Sequence, residues 1–130
     1  MKMEDAFGLA YRYVVPSVRR ILAAKLVEKG MLRKEAAEIL ELSRSAVSRY
    51  LNSERVMLIK INEFKDVMNL VKKLADRIIR EKPGGYIVQE ETAKIVAYFM
   101  SRKYFCKTHK KMNPGMDIAK CRLCERVFNA

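Results

Sequence analysis

RKEAAEILELSRSAVSRYLN, residues 33–52, decides how this chain is to be read. Two short apolar-periodic segments, 33–40 and 44–51, are separated by Glu41-Leu42-Ser43. The spacing predicts two helices with a tight turn between them. Ser43 is placed to cap the second, because a short hydroxyl side chain can take up an unpaired N–H of the first turn. Two helices cross closely only where a small residue sits at the contact, and Ala37 meets that need. Leu40, Leu42 and Val47 then fill the wedge, while Val47, Tyr50 and Leu51 point inward. Arg44, Ser45, Ser48, Arg49 and Asn52 share the outward face. That face holds two Arg, two Ser and one Asn, with no acid. Arg pairs bidentately with guanine and Asn with adenine, and Ser reaches base edges or phosphates. Lys34, at the start of the first helix, and Arg55, after the second, are candidate phosphate clamps.

Before this stretch, Val18, Ile21, Leu22, Leu26 and the stem of Lys25 recur at helical spacing. They predict a helix over 16–29, opened by Pro16 in its first turn and closed by Gly30. After it, VMLIKI at 56–61 is too short for its periodicity to separate strand from buried connector. Phe64, Val67, Met68, Val71, Leu74, Ala75 and Ile78 form one stripe and predict a long helix over 62–81. Pro83-Gly84-Gly85 interrupts it. Thr92, Ile95, Val96, Phe99 and Met100 predict a last long helix over 89–103. The fold class expected is all-α: a helix-turn-helix bundle over 1–61, a helical core and dimerisation segment over 62–104, and a small metal-bound tail over 105–130.

The tail gathers all three cysteines and the single histidine of the chain. Cys106-x2-His109 is followed by Cys121-x2-Cys124, with Pro114-Gly115 in the intervening loop. Two such pincers, each gripping from a tight turn, complete a closed tetrahedral shell for Zn2+. So small a tail buries little apolar surface, so metal binding would supply its folding energy. An iron–sulfur cluster is the alternative occupant of the same four ligands. Arg102, Lys103, Lys107, Lys110 and Lys111 flank the first pincer and are expected to lower the thiol pKa values; they also suit phosphate.

Lys and Arg number 27 against 15 acids, a net charge of +12. Such an excess favours a polyanionic partner, here double-stranded DNA. No apolar run reaches the roughly 18–20 residues that span a membrane, and the acidic start lacks a signal-peptide layout. The expected location is cytoplasmic, where clustered thiols favour metal over disulfides. Gln occurs once and Trp not at all beside abundant Lys, Arg, Glu and Ile, a thermophile-like balance. No phosphate-binding glycine loop, free nucleophile–base pair or apolar carboxylate pair points to catalysis, so no enzyme is expected.

The stretch 12–51, and above all KEAAEILELSRSAVSRYL, resembles the N-terminal part of archaeal helix-turn-helix transcriptional regulators of the λ-repressor-like class. The resemblance covers residues 12–55. It implies DNA binding by the helix from Arg44, usually as a homodimer on paired half-sites. The family commonly has Gly in the turn where this chain has Glu41, a residue less comfortable in a left-handed conformation. The expected function is a sequence-specific DNA-binding regulator with a structural zinc site; the sequence identifies no small-molecule effector. The alternatives are an iron–sulfur redox or metal sensor on the same Cys3His site, and an antitoxin-like protein-interaction module.

Overall fold

A computed structural model describes residues 5–43, 45, 47–48 and 59–129. Its described elements are helical: α1 (Ala6–Leu9), a π-helical turn (Ala10–Val14), α2 (Val15–Glu28), α3 (Arg33–Ile39), a 3-10 turn (Ile61–Glu63), α4 (Lys65–Glu81), α5 (Gly85–Ser101), α6 (Cys106–Met112) and α7 (Leu123–Val127). Among the described residues there is no strand, as the all-α reading expects. Residues 59–63 are not extended, and 56–58 lie outside the described residues. No described helix is long and apolar enough to cross a membrane.

The first helix starts ten residues before Pro16. Asp5 caps it, its Oδ1 accepting from the Phe7 N–H at 2.9 Å. The helix passes through Pro16 because of the turn before it. A proline inside an α-helix has no N–H to give and its ring strikes the carbonyl four residues back. Here the backbone widens at Ala10–Val14, with the Val15 N–H reaching Ala10 O. Ser17 Oγ donates to Tyr13 O at 2.8 Å, giving that carbonyl a partner. Gly30, with φ +104°, ends α2 as expected.

α4 carries the stripe read from the sequence: Val67, Val71, Ala75 and Ile78 are fully buried, with Met68 and Leu74 nearly so. Each fully buried Val or Ile side chain contributes about 1.5–3 kcal/mol. The helix starts at Lys65 because Phe64 stays extended and packs its ring on the core instead. The stripe is spent inside the chain, against α2 and α5. Its other positions are mostly polar, with Leu70 and Ile79 half-buried against the same core. α5 starts at Gly85, four residues before the expected point, with Gly84 as its extended N-cap. That adds Val88 to the buried row of Thr92, Ile95, Val96, Phe99 and Met100. The buried Thr92 hydroxyl is satisfied by Val88 O at 2.7 Å.

α5 ends in a Schellman motif: the Lys103 N–H meets Met100 O at 3.0 Å and the Tyr104 N–H meets Phe99 O at 3.3 Å. Lys103 sits at φ +62°. The motif's apolar contact is the Tyr104 ring on Phe99, 5.6 Å between centroids. The tail then returns to the bundle. Phe128 is buried and meets Phe7 edge to face at 5.1 Å. One hydrophobic cluster therefore runs from Ala6 to Phe128.

Candidate functional site

The segment from α3 onward is shaped by burial at four positions. Ala36 and Val47 are fully buried, and Ala37 and Leu40 nearly so. α3 closes with a second Schellman motif, Leu42 N–H to Ala37 O at 2.8 Å and Glu41 N–H to Glu38 O at 3.3 Å. Glu41 holds φ +54°, the left-handed geometry that the sequence comparison with glycine anticipated. For a non-glycine residue this costs roughly 1–2 kcal/mol. The chain then turns helical again, with residues 45, 47 and 48 in a helix. Ser43 O accepts from the Val47 N–H at 3.1 Å, the bond that opens such a turn.

Of the candidate DNA-contacting residues, Lys34, Ser43 and Ser45 are exposed and Ser48 is half-buried. Arg44, Arg49, Asn52 and Arg55 lie outside the described residues. The inward position Val47 and the outward position Ser45 thus sit on opposite sides, in the register read from the sequence.

The tail differs from its expected form in two ways. Cys106 and His109 are not on a tight turn. They lie three residues apart on α6, which places them on one helix face. The pKa values of Cys106 and Cys124 are also not lowered. Burial pushes Cys106 up from its ordinary value, with Lys103 opposing and Cys121 and Glu125 adding to the rise. Cys124 is pushed up to about 11, by burial first and then by Cys106 and Cys121, again against Lys103. Of the basic run, Lys103 is the residue that opposes the rise at both thiols.

All three cysteines are free thiols. His109 stacks on Phe105, 5.9 Å between ring centroids. The donor types, three thiols and an imidazole, suit zinc. Among the described residues, however, no three His, Cys, Asp or Glu side chains come within ligating reach of one point. Lys110 staples the loop between the pincers, its Nζ donating to Pro114 O at 2.7 Å and also to Met116 O.

One polar hub escaped the sequence reading. Asp66 Oδ2 accepts from Tyr98 Oη at 2.6 Å and from Tyr104 Oη at 2.7 Å. It ties α4 to α5 and to the root of the tail. Burial pushes Asp66 up, but the two phenols and nearby backbone N–H groups outweigh it and hold the carboxyl below its ordinary value. The hydrogen bond to Asp66, with burial added, pushes the Tyr98 phenol up. The lowered acid adds stability above about pH 4 that is lost as pH falls through its folded value. The raised phenol adds stability below about pH 10 that is lost as pH rises through its own. The near-ultraviolet tyrosine signal is therefore expected to change at both extremes. In Asp66→Asn the acid-side change should vanish; its persistence unaltered would mean another group controls it.

No protein-family model, no curated protein and no solved structure matches this chain.

Proposed function

We propose that this protein is a sequence-specific DNA-binding transcriptional regulator that acts as a homodimer and carries a structural zinc site in its tail. The observation that carries the reading is the register after α3. Ala37 and Val47 are buried while Lys34, Ser43 and Ser45 are exposed. With a net charge of +12, a polar, acid-free face at this point suits a helix entering the major groove. Arg44, Arg49 and Asn52 read base edges; Lys34 and Arg55 hold phosphates; Ser43, Ser45 and Ser48 fix the approach. Selection from a random duplex pool, followed by footprinting at moderate salt, tests the proposal. A discrete protected site is expected. Binding that depends on salt but not on sequence would overturn it.

Zinc, when bound by Cys106, His109, Cys121 and Cys124, supplies a cross-link between α6 and the segment around α7. The three free thiols and the single histidine, all within the tail, support this role. Elemental analysis of anaerobically purified protein is expected to give one zinc per colourless chain. Chelation should then melt the tail, read as lost helical signal. A brown protein with iron would replace zinc by a cluster and turn the tail into a sensor. Light scattering at micromolar concentration tests the dimer, and a monomer there would remove it.

A further inference from the structure

A cleft of about 650 Å3 opens beside the root of the tail. Lys60, Lys103, Lys107 and Lys111 line it, together with Glu63 and the Tyr104 ring. The lysines come from three parts of the chain: the segment after the DNA-reading unit, the turn that ends α5, and α6. Lys107 and Lys111 are one helical turn apart and share a face. Lys103 is partly committed, its Nζ donating to Ile118 O at 2.9 Å and pairing with Glu125 at 3.6 Å. Among the described residues, no hydrogen bond or ion pair from a side chain engages Lys60, Lys107 or Lys111, and all three are exposed.

Unpaired ammonium groups around one concavity repel one another, and low-dielectric walls focus their field outward. Such an arrangement is stabilised by an anion. Lysine binds phosphate as a point charge with three rotatable donors, without the planar fit that a base edge demands. Four lysines outnumber Glu63, the one acid of the lining, so the cleft suits phosphate. It begins at Lys60, eight positions after Asn52 ends the candidate reading face.

We propose that this cleft clamps the DNA backbone while residues 44–52 read the bases. The inference rests on the regulator reading and extends it: the metal-binding tail becomes part of the DNA contact. Lys107 lies between the ligands Cys106 and His109 on α6, so fixing that helix also fixes the clamp.

The test is the salt dependence of duplex binding by the full chain. Each phosphate contact contributes about 0.9 to the slope of log K against log salt. The variant Lys60→Gln/Lys107→Gln/Lys111→Gln is expected to flatten that slope by about 2–3 and to lose affinity equally on the selected site and on random duplex. A control with the same charge loss, Lys72→Gln/Lys82→Gln/Lys94→Gln, should change the slope by less than one contact. All six side chains are exposed, so the fold survives, as far-ultraviolet circular dichroism will verify. If the parent binds its site and the clamp variant keeps the same slope, the clamp is overturned and the regulator reading stands. Equal flattening in clamp variant and control also overturns it, as an effect of net charge. If the parent binds no duplex of any sequence, both proposals fall.

Discussion

Phe99→Ala is expected to destabilise the chain by about 3–5 kcal/mol, the range for removing a buried aromatic ring. Phe99 is fully buried at the meeting point of three elements. Its ring stands edge-on to Phe64 at 5.1 Å and to Tyr104 at 5.6 Å, and those two rings lie 4.6 Å apart. Phe64 opens α4, and Tyr104 closes the end of α5. The truncation therefore leaves a cavity and also loosens the start of one helix and the cap of another. A single domain has about 5–15 kcal/mol in total, so the variant approaches the limit of folding. Urea unfolding followed by circular dichroism measures the loss. Phe99→Leu, which keeps most of the volume, should cost much less. A cost below about 1.5 kcal/mol for the alanine variant would show that the site collapses around the missing ring.

Arg44→Ala and Arg49→Ala are each expected to weaken binding to the selected site by about 10- to 100-fold, that is 1–3 kcal/mol, with a smaller loss on random duplex. The reasoning is chemical. A guanidinium donates two parallel hydrogen bonds to guanine O6 and N7, and no single-point donor replaces both. Arg44→Lys and Arg49→Lys keep the charge and lose the fork, so they should retain random-duplex binding and lose selectivity. Fluorescence anisotropy on both duplexes separates these cases. Equal losses on the two would make these arginines phosphate contacts.

The long helices were legible because their apolar residues repeat with the helical period. Val67, Val71, Leu74 and Ile78 lie where that period places them, all against the core. The ends were less legible. Pro16 reads as a helix start, since nothing in YRYVVP announces the wide π-helical turn that lets a helix run through a proline. Gly84-Gly85 reads as a break, yet an extended Gly84 is also a serviceable N-cap, and α5 begins there. At the candidate site, Glu41 was legible as a left-handed residue only through the resemblance, which implies glycine in that turn. The thiols were not, because charge proximity is visible in a sequence and burial is not. Asp66 was invisible for a simpler reason: its partners Tyr98 and Tyr104 are 32 and 38 residues away. The basic cleft is likewise made by distant segments, and only part of it, Lys103, Lys107 and Lys111, stood out as a run.

The edge-to-face pair Phe7–Phe128 joins the first helix to the last turn of the described chain. It closes a loop almost as long as the chain itself. Contacts of that span form late, after neighbouring helices have paired and shortened the distance to be bridged. The pair α4–α5, joined by a short Pro-Gly-Gly link, is the natural early unit, and the C-terminal tail docks as a latch on a bundle already built. Assembly therefore has a direction, from neighbouring helices inward to the join between the two ends of the described chain.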